Sequence, residues 1–315
     1  MMAKRSIIID TDPGQDDAIA IALAVASPDE LEILGLSIVA GNVPLKRTVD
    51  NGLKVLELCG RPDIPVHAGA DRPLLEALVT AEHVHGETGL NGVDLPDPAM
   101  PVADKHAVDF LIDTIMEHPE KSITICALGP LTNIAVALAR EPRIGPRLDQ
   151  IVLMGGAMAE GGNITPSAEF NIYVDPQAAA LVFRSGIPLV VLPLDVTHKA
   201  PTTPERIARF AALDNRCGPA YAGLLDFAKR FDEEKYGSVG GPLHDPMTVA
   251  WLLRPDIFKG RHVNVEIETS SPLTRGMTVV DWWDVTDRLP NALFIREVDD
   301  EAFFDLLVSR FASLP

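Results

Sequence analysis

Short, almost wholly apolar runs alternate with helical stretches along most of the chain. Residues 6–10, SIIID, predict a buried strand, and residues 16–26, DDAIAIALAVA, predict a helix. A strand at 33–40 and a helix over about 45–59 follow. A helix near 104–117 precedes a strand at 122–128, and another helix runs from 131 to 140. Residues 151–156 read as strand then turn, 175–186 as a helix ending in glycine, and 188–194 as a further strand. Strands with no polar alternation are buried on both faces, which is the mark of a parallel sheet covered by helices on each side. The pattern predicts an α/β chain with a single open, mostly parallel sheet flanked by helices. No Ser/Gly linker, charge block or repeat interrupts it, so residues 1–315 are expected to form a single domain.

In open α/β sheets, ligands bind beyond the carboxyl ends of the strands. The predicted strands here run into polar loops: DTDPGQDD at 10–17, AGN at 40–42, GPLTN at 129–133 and GGNITPSAEFN at 161–171. These loops are expected to converge on one rim. The first holds four aspartates in eight residues. Pro13-Gly14 breaks the strand, and Asp16 and Asp17 then fall in the first turn of the next helix, at its positive dipole end. That dipole is worth roughly 0.3–1 kcal/mol per charge, too little to offset repulsion among four carboxylates in a partly dry crevice. A bound cation could. The donors are all hard oxygens with no neighbouring Cys or His, which suits calcium or magnesium far better than zinc. Asp10 is expected to brace the loop.

HDP at 244–246 opens another apolar helix, with Asp245 expected as its N-cap and as a further metal ligand. His244 beside it is placed to exchange a proton near neutral pH. Asn163, Glu169 and Asn171 bring amides and a carboxylate that can hydrogen-bond sugar hydroxyls. Residues 81–92, AEHVHGETGLNG, read as a mobile loop with His83 facing solvent.

Composition narrows the partners. The formal charge is −18 and the pI near 4.8, which argues against a nucleic-acid or anionic-membrane binder, since either needs a basic face. No stretch reaches the ~18 apolar residues of a membrane span. Cys59, Cys126 and Cys217 form no disulfide framework or metal knuckle, and a reducing cytoplasm is the simplest home.

DTDPGQDDAIAI resembles the N-terminal signature of the inosine-uridine-preferring nucleoside hydrolases. The similarity continues through AGN (40–42), VHGETGLNG (84–92), LGPLTNIA (128–135), LMGG (153–156), GNITPSAEFNIYVDP (162–176) and HDP (244–246). The resemblance implies a Rossmann-like fold that hydrolyses the N-glycosidic bond of purine and/or pyrimidine ribonucleosides, with a tightly bound calcium. It implies Asp12 as metal ligand and general base on a metal-bound water. It implies Asp17, Asp245 and the Leu128 carbonyl as further ligands, and His244 as the group assisting base departure. Asp16, Asn42, Asn163, Glu169, Phe170 and Asn171 would contact the substrate, with Met154 near the ribose and His85 facing the base. It also suggests a homodimer or homotetramer. Leu128 stands where some members have threonine, which matters little if only its carbonyl is needed. Tyr236, eight residues before His244, is placed as in pyrimidine-preferring relatives, to stack on or hydrogen-bond the base. Asp232 fits neither the purine nor the pyrimidine pattern. The glycines around 237–241 suggest a lid.

Two rivals remain at this point. A magnesium-dependent phosphatase of the haloacid-dehalogenase type would use Asp10 as nucleophile, but no lysine or phosphate loop can be assigned to it. A non-catalytic nucleoside-binding protein would keep the site and lack turnover. The presence of both Asp12 and His244 argues against it.

Overall fold

The structure is a computed structural model, and it describes residues 4–315 apart from the side chain of Tyr236. The strands are β1 Arg5–Thr11, β2 Leu31–Ile38, β3 Val66–Ala68, β4 Ile123–Ala127, β5 Leu148–Met154 and β6 Leu189–Leu192. They continue with β7 Pro201–Thr202, β8 Gly241–Pro242, β9 Phe258–Ile267, β10 Thr278–Asp281 and β11 Ala292–Val298. The main sheet runs in the order β10-β9-β11-β6-β5-β4-β1-β2-β3. Strands β1 to β6 and β11 pair in parallel, while β9 is antiparallel to both β11 and β10. β7 and β8 form a separate small ribbon.

The apolar runs do what their lack of alternation predicts. In β1, Ile7 and Ile9 pack into the core on one side of the sheet and Ile8 into the core on the other, all with no exposed surface. β5 repeats this, with Val152 on the first side and Ile151 and Leu153 on the second. Each such side chain contributes roughly 1.5–3 kcal/mol by leaving water. Cys126 is buried in the same way. Among the described residues, no helix is long and apolar enough to cross a membrane.

Some expected elements move. The helix expected at 175–186 is found as Pro176–Phe183, and a separate short helix, Phe170–Val174, precedes it. Asp175 separates them, its carboxylate accepting the Ala178 N–H at 3.0 Å, and Pro176 starts the second helix without needing a donor. The helix expected near 104 begins at Ala107, with the His106 ring accepting the Val108 N–H. Most of the segment 227–241 is ordered helix, the C-terminal half of Cys217–Tyr236, which stops where Gly237 takes a left-handed conformation at φ 65°. Only residues 237–240 are left as a glycine-rich turn before β8. The antiparallel strands β9 to β11 were not anticipated, because their apolar positions are interrupted by charged ones.

The strand order reverses at β1, which has β2 on one side and β4 on the other. The loops after β1, β2 and β4 therefore diverge around one crevice, where an open α/β sheet binds its ligand.

Candidate active site

Asp12 is the first residue past β1, and it is 1% exposed. Its Oδ2 accepts the Asn42 N–H at 2.7 Å, while Oδ1 is buried with no hydrogen-bond partner. Two glycines clamp this carboxylate from neighbouring strands' loops. A Cβ on Gly41 would lie 2.0 Å from Oδ2, and one on Gly129 would lie 2.3 Å from Oδ1. Glycine is required at both positions for space, not for backbone freedom. Gly129→Ala is therefore expected to push the carboxylate aside. Misplacement by about 1 Å can cost on the order of 10²-fold in rate, and steady-state kcat/KM on a nucleoside reads the loss.

Asp17 accepts the Gly14 N–H at 2.9 Å, the Thr11 hydroxyl, and the Asn42 amide at 3.2 Å. It braces the turn from which it projects. Asp16, Asp17 and Asp245 each present an oxygen within 4.8 Å of one another. Asp12 stands beside this trio and is not part of it, so Asp16 lies nearer the carboxylate cluster than a role limited to the ribose suggests. Asp245 occupies the N-cap position of the helix Pro246–Leu253 but makes no side-chain cap bond, contrary to expectation. Its own backbone is already helical (φ −63°, ψ −37°), and its carboxylate groups with those of Asp16 and Asp17 instead of capping the helix amides.

The electrostatics register the crowding. Burial, then the charge of Asp17, raises the Asp12 pKa well above the carboxylate range. Burial, then Asp16, Asp17 and Asp12, does the same to Asp245. Asp10 lies behind the site with no exposed surface, accepting hydrogen bonds from Ser37 and Asn133, and burial pushes it to about 7. A carboxylate so enclosed cannot attack a substrate, which removes the phosphatase reading.

The remaining expected residues converge on one cavity of about 640 Å³. Asp16, Asn42, His85, Leu128, Met154, Asn163, Glu169, Phe170, Asn171, His244 and Asp245 all line it. Glu169 caps the helix Phe170–Val174, accepting the N–H groups of Asn171 and Ile172, and also that of Gly156. Burial raises its pKa to about 7. The Asn171 amide donates to the Leu128 carbonyl at 2.6 Å and approaches Met154 Sδ at 3.6 Å. Asn163 accepts the Phe170 N–H at 2.9 Å.

The segment 81–92 is tied down rather than free. His85 Nδ1 lies 2.6 Å from Gln15 Oε1, and the Gln15 amide donates back to the carbonyls of His85 and Asn91. Burial pulls His85 down to about 4. His83 is exposed, as expected, yet it also lines the cavity and meets Phe231 edge-on at 5.6 Å. His244 Nδ1 sits 2.8 Å from the Thr197 hydroxyl, and burial, then His198 and His85, lowers its pKa to about 3. Asp232 also lines the cavity, its pKa raised by burial. The side chain of Tyr236 lies outside the described residues.

Sequence reasoning missed Gly41, Gly129, Gln15, Thr197 and His198. The two glycines sat inside quoted motifs, but only their distance to Asp12 shows their use. Thr197 and His198 lie three and four residues past the apolar run 188–194, so the rule that strand ends carry the site could have found them.

Known proteins resemble the chain over nearly its whole length. The family model described as inosine-uridine preferring nucleoside hydrolase matches residues 7–305. An uncharacterized protein of Schizosaccharomyces pombe is 57% identical over 309 residues, covering 98% of this chain and 99% of its own. A pyrimidine-specific ribonucleoside hydrolase, RihA, of Klebsiella pneumoniae is 49% identical, covering 97% of this chain and 98% of its own. The solved purine-preferring ribonucleoside hydrolase from Gardnerella vaginalis superposes with a TM-score of 0.91 at 32% identity, over 98% of each chain. With its open sheet and its acidic crevice at the strand ends, the chain belongs to the inosine-uridine preferring nucleoside hydrolase family and is a nucleoside-hydrolysing enzyme.

Proposed function

We propose that the chain hydrolyses pyrimidine ribonucleosides to free base and ribose, using a calcium ion held by Asp12, Asp17, Asp245 and the Leu128 carbonyl. The observation that carries the metal is the Asp12 Oδ1 atom, buried without a partner beside three converging carboxylates. Folded without a cation, this region would hold several desolvated negative charges, which is costly. The donors are all oxygens, which fits Ca²⁺ and its 6–8 oxygen ligands. The bound ion would lower the pKa of a water and fix it near the anomeric carbon.

The chain's own groups do the rest. Asp12 takes a proton from the attacking water. Asp16, Asn42, Asn163, Glu169 and Asn171 hold the ribose hydroxyls, and orientation of this kind can be worth roughly 7–11 kcal/mol. As the glycosidic bond breaks, positive charge builds on the sugar, and the surrounding carboxylates favour it over the ground state. His244 assists the departing base, its ring oriented by Thr197. His85 and Phe170 face the base.

The pyrimidine preference follows the 49% identity to the pyrimidine-specific relative across almost the whole chain, against 32% to the purine-preferring one. Uridine, cytidine, inosine and adenosine, each incubated without phosphate, test it. Uridine and cytidine are expected to exceed inosine by roughly tenfold or more in kcat/KM, a margin that pocket shape alone can supply. Equal or reversed values would refute the preference, and a requirement for phosphate would refute hydrolysis.

A further inference from the structure

Besides His85 and His244, the cavity is lined by His83 and His198, which have no task in the proposed reaction. His198 follows the short helix Leu194–Thr197 at the end of β6, and it lines the same cavity as His244. The two ring centroids are 6.0 Å apart, with the planes tilted by 58°. Each ring is oriented through one nitrogen. His244 Nδ1 is held at 2.8 Å by Thr197, and His198 Nδ1 lies 3.2 Å from Glu160 Oε2, on the segment after β5. Among the described residues, no hydrogen bond engages Nε2 of either ring. Glu160, Lys229 and Asp232 line the cavity with them, and the charge of His198 acts on Asp232.

The two rings differ in access to water. The His198 side chain is 35% exposed, while His244 is half-buried. A group that gives up a proton in every turnover must be recharged from solvent. His198 meets that requirement better than His244. Two imidazoles at this spacing can also reach two different acceptor atoms of one base.

We propose that His198, oriented by Glu160, is a second proton donor to the departing base, acting beside His244. The proposal rests on the hydrolase reading. In the step, the bond between the anomeric carbon and the base nitrogen breaks, and its electron pair goes to the base. His198 Nε2 delivers a proton to the base. Water oxygen bonds to the anomeric carbon, and its proton passes to Asp12. Solvent then returns a proton to His198 and takes one from Asp12. The sum is nucleoside plus water giving free base plus ribose.

The test compares uridine with p-nitrophenyl riboside, whose leaving group departs without a proton. His198→Ala is expected to lower kcat/KM on uridine by roughly 10–10²-fold, and to lower the uridine to p-nitrophenyl riboside ratio by roughly tenfold or more. Glu160→Gln, which keeps the ring and loosens its orientation, should move the ratio in the same direction by less. It serves as the readout if His198→Ala does not fold. An unchanged ratio overturns the proposal, whether both substrates slow together, as a structural role requires, or neither slows. Failure of the hydrolase reading looks different: the wild-type protein would then release no base from any nucleoside.

Discussion

Asp12→Asn is expected to remove nearly all turnover and, in the same protein, to raise the stability of the metal-free fold. The amide keeps the shape that fits between Gly41 and Gly129, and its carbonyl can still accept the Asn42 N–H. It cannot take a proton from water, and loss of a general base costs on the order of 10²–10⁴-fold. It also removes one negative charge from the cation seat, so calcium should bind more weakly. The stability gain has the opposite origin. Without metal, Asp12 is buried, has an orphaned oxygen, and feels the charges of Asp17 and Asp16. Asparagine mimics the protonated carboxyl that this environment favours, so the gain should grow with pH. Uridine kinetics, calcium calorimetry and thermal unfolding in chelator read the three effects. Wild-type turnover would refute Asp12 as the base, and a lower Tm in chelator would refute the repulsion account.

The second large effect is a stability profile that slopes the unusual way. Asp10 and Glu169 are raised to about 7, and Asp12, Asp16, Asp17 and Asp245 are raised as well, in every case chiefly by burial. A carboxyl whose folded pKa exceeds its unfolded value holds its proton longer in the native state. The unfolded chain then binds fewer protons, so native stability falls as pH rises from the unfolded pKa through the folded one. Each pKa unit corresponds to about 1.4 kcal/mol, so Asp10 and Glu169 each contribute on the order of 3–4 kcal/mol to this decline. The carboxylates that Arg partners lower, such as Asp63 and Glu141, do not oppose it in this range, because they are ionised in both states above their unfolded pKa. Calcium should reverse the slope near its site, since it binds the ionised carboxylates and releases their protons. Tm is therefore expected to fall between about pH 5 and pH 8 in chelator, and to hold or rise with saturating calcium. A Tm in chelator that climbs over that range would contradict the burial of these groups as acids.

The chain reveals its architecture early because burial on both faces leaves a local trace. Ile7, Ile8 and Ile9 need no partner in view to show that their strand is central. Four aspartates in DTDPGQDD likewise announce a cation, since repulsion acts at the spacing visible in the sequence. The interrupted strands β9 to β11 are harder to read, because Lys259 on β9 and Glu297 on β11 pair with each other beyond the reach of β10 and β6, and such exposed charges mimic loop composition.

Local pattern is enough for the layered parallel sheet, the rim of polar loops and the crowding of carboxylates at one turn. These follow from periodicity, turn residues and charge density, which act over a few residues. Which groups meet depends on packing across the sheet. Sheet order sets β1 between β2 and β4, and that alone brings Gly41 and Gly129 against Asp12. The same packing turns Asp245 from its own helix toward Asp17 and sets His198 beside His244. Distances between loops far apart in the chain depend on how strands are ordered and helices pack, and no local rule encodes them.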